Sequence, residues 1–239
     1  MKFALVLISM ISGAAFAAQE SKEFESNGIN TVLVENTSGN VSISATDANK
    51  AAVVATKNRF SDQCKMTVDR SGHKLVIKVE KVSRFFNTEE CNVDFQVKVP
   101  QSTNLDLTIG SGDLLIKGVQ GTLNFKMGSG NISADGNFQK AEGKSGSGKI
   151  VLKGLSGGGN IMSGSGDIDL MYASGALKGE LDLKTGSGDA IVLFPKGTQV
   201  KTSFTAGVGE LSNELGDNPR AKFKVSMKAG SGNLKIKSY

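Results

Sequence analysis

The segment Gly143–Lys149, read Gly-Lys-Ser-Gly-Ser-Gly-Lys, has the spacing of a phosphate-binding loop, in which bare glycine backbone cradles a phosphate and the lysine meets its charge. The next residue, where a hydroxyl should hold magnesium, is Ile150, and a strand pattern follows where a helix is required. The segment also lies on a sequence repeat, so no nucleotide site is expected. Three copies of that repeat end in Asp113, Asp167 and Asp189, and stacked glycine-aspartate coils could ligate calcium between layers. The same column holds Asn131, Lys149, Glu210 and Asn233, however, and a lysine inside a cation ladder would defeat it. His73 stands alone in a turn signal, Ser71-Gly72-His73-Lys74, so with two cysteines it makes no recognisable zinc set. Neither a metal nor a cofactor is expected.

A lysine column offers the most distinctive surface chemistry. Lys126, Lys144, Lys184 and Lys228 each stand two residues before a repeat, with Thr108, Met162 and Thr205 in the interrupting copies. Two residues earlier come Asp106, Asn124, Glu142, Asn160, Asp182, Ser203 and Ser226. One reading is a basic ridge that grips an anionic glycan or lipid headgroup. The other is a solvated charged face that keeps sheet edges apart, which the interleaved acids favour. Arg84-Phe85-Phe86-Asn87 presents two adjacent aromatics that cannot both point inward from one strand, so Phe85 and Phe86 contact a partner or plug an open end. No serine has a general base at usable spacing, there is no tryptophan, and the outward acids stand singly, so no catalytic residue is expected.

These residues are positioned by a recurring tetrapeptide. Gly-Ser-Gly followed by Asp, Asn or Lys begins at residues 110, 128, 146, 164, 186 and 230, and Gly207-Val208-Gly209-Glu210 is a degenerate copy, giving steps of 18, 18, 18, 22, 21 and 23. A fixed period of this length signals a solenoid. Apolar residues alternate on both sides of each copy, as in Leu123 and Phe125 before it and Ile132 and Ala134 after it. Each coil therefore holds two short strands with one apolar face, joined at a glycine corner. A single coil buries too little to offset its ordering entropy, so coils must stack about 4.8 Å apart and share one core. The middle layers, with Ala141, Gly143 and Ser145 facing inward and Gly157-Gly158-Gly159 in the next coil, are expected to be thin or locally irregular. The final strand, Asn233 to Tyr239, is expected to leave an unpaired edge open to self-association.

Residues 18–100 lack the repeat but show strand patterns, and form a β region that starts or caps the solenoid of residues 101–239. Residues 1–17 read as an export signal, with Lys2, an apolar run and Ala15-Phe16-Ala17 before the cut. No later stretch approaches the roughly 20 apolar residues of a membrane span. Cys64 and Cys91, in an exported chain, are expected to pair as a disulfide. The net charge of +5 falls to about +4 without Lys2, which suits anionic envelope polymers and gives no ground for nucleic acid.

Ile29-Asn30-Thr31-Val32-Leu33-Val34 with Ser38-Gly39-Asn40-Val41, then Val97-Lys98-Val99-Pro100 leading into Leu105-Asp106-Leu107-Thr108-Ile109 and the Gly-Ser-Gly coils, carry a resemblance over almost the whole chain. The sequence resembles DUF4097, a bacterial adhesin-like family of unknown function related to the GIN head domains. The resemblance implies a β-solenoid, right-handed by expectation, in the periplasm or at the cell surface, with adhesion as the suggested role and no catalytic residues. The cysteine pair is not part of the family pattern. The expectation is thus an all-β, parallel solenoid that binds a glycan or protein of the envelope, against the alternatives of a carbohydrate-active enzyme or a self-assembling building block.

Overall fold

The computed structural model describes residues 18–82, 90–175 and 177–239, so the expected leader and the Phe85–Phe86 pair lie outside the described residues. Among the described residues there is no helix. In chain order the strands are β1 (Ala18–Glu25), β2 (Thr31–Ser38), β3 (Val41–Thr46), β4 (Lys50–Arg59), β5 (Cys64–Ser71), β6 (Lys74–Lys81), β7 (Asn92–Pro100), β8 (Asn104–Ser111), β9 (Leu114–Ser129) and β10 (Ile132–Ser147). The remainder are β11 (Ile150–Leu155), β12 (Gly159–Ser165), β13 (Ile168–Tyr172), β14 (Gly179–Ser187), β15 (Ala190–Phe194), β16 (Val200–Val208), β17 (Leu211–Asn213), β18 (Phe223–Ser231) and β19 (Leu234–Ser238).

The strands form two ladders that share one core. The first runs β5–β6–β2–β8–β9–β10–β12–β14–β18–β16, parallel except for the β5–β6 hairpin. The second runs β1–β4–β7–β3–β9–β10–β11–β13–β15–β19–β17, parallel except for β1–β4–β7. β9 and β10 bend through both ladders, so one coil contributes a rung to each. The ladders meet across the core: Phe223 of the first packs edge-on against Tyr172 and Phe194 of the second, at centroid distances of 5.0 and 5.6 Å. The protein is an all-β parallel solenoid, as the two-residue alternation predicts.

The stacking order departs from chain order at both ends. β2–β3 lies between β6–β7 and β8–β9, and β18–β19 lies between β14–β15 and β16–β17. The expected free edge at Asn233 to Tyr239 is therefore incorrect: β19 is hydrogen-bonded to β15 on one side and β17 on the other. The outermost layer of that end is β16–β17, because the last coil slots in before it.

The Gly-Ser-Gly corners line up along one edge, and the two glycines serve different ends. A Cβ on the first would strike the carbonyl oxygen of its counterpart one layer away, at 2.3 Å for Gly128 against Gly110 and 2.4 Å for Gly146 against Gly128. This is a demand for close backbone approach, which positive φ does not explain. The second glycine needs both, as at Gly148, where φ is +106° and a Cβ would lie 2.1 Å from the Gly130 oxygen. The thin middle is filled by leaning: the Phe125 ring occupies the space a Gly143 side chain would take, 2.0 Å from that missing Cβ.

The residue after each corner ties layers together through its side chain. Asp94 Oδ1 accepts from the Asn40 amide at 2.6 Å, Asn40 from Asp113 at 2.9 Å, Asp113 from Asn131 at 2.8 Å and Asn131 from Lys149 at 3.0 Å. Beyond Lys149 the series resumes, from Asp189 to Asp167, Asn233 to Asp189 and Glu210 to Asn233. These acids and amides thus stand in for part of a backbone ladder at the bend, where the strands turn away from each other. Cys64 and Cys91 form a disulfide, Cα–Cα 5.7 Å, that pins β5 to the start of β7.

Candidate binding face

Register fixes which surface side chains are neighbours. On the first ladder the outward column runs Lys78, Glu35, Thr108, Lys126, Lys144, Met162, Lys184, Lys228, Thr205. At about 4.8 Å per layer, Lys126 and Lys228 stand roughly 19 Å apart with Met162 at the centre. The four lysines called from sequence are thus brought into one file, although Lys228 follows Lys184 only because of the altered stacking order.

Beside it runs a second file, Asp106, Asn124, Glu142, Asn160, Asp182, Ser226 and Ser203. Among the described residues none of the four column lysines has a carboxylate within ion-pair distance, whereas other lysines do. Glu142 turns to Lys140 at 2.5 Å and leaves Lys126 and Lys144 unmatched. Lys149, the odd member of the corner column, pairs with Asp169 at 2.6 Å, and that hydrogen bond holds its ammonium above the usual lysine range. Interleaving of acids in the sequence therefore does not mean neutralisation of the lysine file in space.

Between the two files lies an open depression of about 370 Å³, lined by Asp106, Asn124, Lys126, Glu142, Lys144, Asn160 and Met162. Phe125 and Gly143, whose neighbours on either side form the two files, complete its lining. The Oδ1 atom of Asn160 is buried there without a hydrogen-bond partner. The walls offer two ammonium groups and two carboxylates, and nothing among them makes a nucleophile–base pair. Among the described residues no group of His, Cys, Asp or Glu could hold a metal ion, and no helix is long and apolar enough to cross a membrane.

A family profile, Toastrack DUF4097, matches residues 23–238. The chain belongs to this family. The Toastrack fold seen here is similar to that of a proposed adhesin from Bacteroides fragilis, with 18% identity, 91% of this chain and 96% of that one covered, and a TM-score of 0.55. It is also similar to a proposed lipid-binding protein from Parabacteroides distasonis, with 17% identity, 92% and 96% coverage and a TM-score of 0.52. At such identities the likeness is one of Toastrack fold. A search of curated proteins finds no match to the chain.

Two features of this face were not visible in sequence. The ladder role of Asp94 and Asn40 was missed because they lie outside the repeat, although Ser38-Gly39-Asn40 carries its signature. The depression was missed because it is bounded by outward side chains of four successive layers, which only the register brings together.

Proposed function

We propose that this protein is an exported, non-enzymatic binding module of the cell envelope, whose lysine file contacts an anionic glycan or related polymer. The observation that carries the proposal is the row Lys126, Lys144, Lys184, Lys228, set in register and without ion-pair partners among the described residues. An extended polyanion lying along the stack meets one ammonium per layer on either side of Met162, and the adjoining depression receives a polar substituent. Attraction of this kind is screened by salt, with a Debye length near 8 Å at physiological ionic strength. The Cys64–Cys91 disulfide fits an oxidising compartment, as does the expected leader. The Bacteroides fragilis neighbour is itself described as a proposed adhesin, which agrees with a binding role.

The test is a panel of anionic glycans, polygalacturonate and a sulfated glycan included, with binding and hydrolysis read together for the wild type and for a Lys126→Ser, Lys144→Ser, Lys184→Ser, Lys228→Ser variant. Four exposed charge contacts of about 0.3–1 kcal/mol each predict a loss of about tenfold or more in affinity. Equal retention of both proteins refutes the lysine file, and turnover lost on a single acid-to-amide change refutes the non-enzymatic reading.

A further inference from the structure

Charge is distributed along the rod very unevenly. Residues 18–198 carry 20 Lys and Arg against 20 Asp and Glu, a net of zero. Residues 199–239 carry seven cations against Glu210, Glu214 and Asp217, so the whole +4 of residues 18–239 belongs to them. Sequence alone places these residues at one end of the chain; the stacking order places them at one end of the rod. They are the two outermost layers, β16–β17 and β18–β19, within about 10 Å of the tip by layer spacing. Lys224 pairs with Glu180, and Lys237 reaches Glu214 at 3.8 Å, while Lys201, Arg220, Lys222, Lys228 and Lys235 have no ion-pair partner among the described residues.

The same tip also exposes two large apolar side chains, Val208 and Leu211. Leu211 continues the core column of Ile168, Ala190 and Leu234; Leu234 is 0% exposed and Leu211 41%, because no layer of the described residues lies beyond it. Val208 takes the place of the corner serines and is 73% exposed. Part of the open edge is closed by the chain itself, where Asp217 Oδ1 accepts from the Thr202 amide at 2.6 Å and the Asn218 amide donates to the Val200 carbonyl at 2.9 Å. From Phe204 to Leu211 no strand among the described residues continues the stack.

We propose that this tip docks end-on to an anionic lipid bilayer, with Val208 and Leu211 entering the headgroup region and the surrounding lysines and Arg220 held over the lipid phosphates. A second copy is the less fitting occupant, since tip-to-tip pairing sets one +4 end against another. A soluble polyanion satisfies the charge and leaves the two apolar side chains in water. A bilayer surface satisfies both, by the combination of buried apolar area and attraction to anionic lipid that governs interfacial binding. The surface shares only Lys228 with the lysine file and is distinct from the depression beside Lys126 and Lys144, and its test, which leaves Lys228 unchanged, stands whether or not that file binds a glycan.

The test is co-sedimentation of the disulfide-intact protein with vesicles of phosphatidylcholine alone and of phosphatidylcholine with one quarter phosphatidylglycerol. The expected result is binding to the anionic vesicles only, weakened as salt is raised. Lys201→Ser and Lys235→Ser should each lower partitioning about fivefold, and Val208→Ser with Leu211→Ser about tenfold, all with wild-type circular dichroism and thermal midpoint. Equal binding to both vesicle types, or indifference to both sets of changes, overturns the proposal. Indifference to Val208→Ser and Leu211→Ser alone, with binding abolished by a soluble polyphosphate, assigns the tip to a polyanion and also overturns it. A concentration-dependent dimer in sedimentation velocity that Val208→Ser abolishes gives the tip to a second copy, with the same consequence.

Discussion

Replacing Gly146 by alanine isolates the steric demand of the corner. Gly146 has an ordinary φ, so the only obstacle is the Gly128 carbonyl oxygen 2.4 Å from the new Cβ. The layers are hydrogen-bonded on both sides and cannot separate locally, so the change acts as overpacking, which costs about 1–3 kcal/mol. At Gly148 the clash, 2.1 Å from the Gly130 oxygen, comes with a φ of +106°, and the left-handed backbone adds about 1–2 kcal/mol, for a total of about 2–5 kcal/mol. Gly72 supplies the control: its φ is +60° with no atom within 4 Å, so alanine there costs about 1–2 kcal/mol from φ alone. Urea unfolding followed by circular dichroism should rank the midpoints wild type, then Gly72→Ala and Gly146→Ala, then Gly148→Ala, with unchanged slope. An unshifted midpoint for Gly146→Ala, or a Gly72→Ala variant as weak as Gly148→Ala, refutes the close-approach explanation of the first glycine column.

The Cys64–Cys91 bridge closes a loop with a sequence separation of 27. Its removal by paired serine substitutions should lower stability by about 3–4 kcal/mol on the chain-entropy estimate, read from the same unfolding curves with and without reductant. Asp217, hydrogen-bonded by the Thr202 amide and hydroxyl, has its carboxyl held below the usual value of 3.8. A depressed carboxylate stabilises the fold fully above its unfolded pKa and loses that contribution as pH falls through the lower folded value. Protection of the Thr202 amide against hydrogen exchange, corrected for intrinsic rates, should therefore weaken below about pH 4 in the wild type. It should be low and pH-independent in Asp217→Ala.

What could be read from the sequence was everything carried by columns. Alternation of apolar residues gave the inward faces, as at Leu123, Phe125, Ile132 and Ala134, and the tetrapeptides gave the corner edge and the register that lines up Lys126 with Lys144. Column arguments leave neighbour order open, since every coil presents the same backbone donors and acceptors above and below. The place of β19 was therefore misjudged, and with it the open edge, and the basic tip was not legible at all. β1 was also missed: Ala18 to Phe24 is mostly polar, and it becomes a strand by antiparallel pairing with β4, supported by Lys57–Glu20 and Lys50–Glu23 contacts at 2.5 and 2.7 Å.

The altered order at the basic end follows from which coil tolerates water. The inward residues of β18–β19 are Phe223, Val225, Met227, Leu234 and Ile236, all at most 1% exposed. At matching positions β16–β17 offers Val200, Thr202, Phe204, Leu211 and Asn213. Stacked in chain order, Thr202 and Asn213 would face the core with layers on both sides, and each buried polar group without a partner costs about 1–3 kcal/mol. Val225 and Ile236 would meanwhile be left at the solvent end, each losing about 1.5–3 kcal/mol of burial. Placing the richer coil inside avoids both penalties. It also gives the polar pair partners, since Thr202 bonds Asp217 and Asn213 accepts from the Leu215 amide at 3.0 Å and donates to the Gly216 carbonyl at 2.9 Å. The same residues that keep β16–β17 out of the core thus fold residues 214–220 over the end of the stack. The uncovered remainder, Val208 and Leu211 amid lysines, is fixed at the tip by that preference.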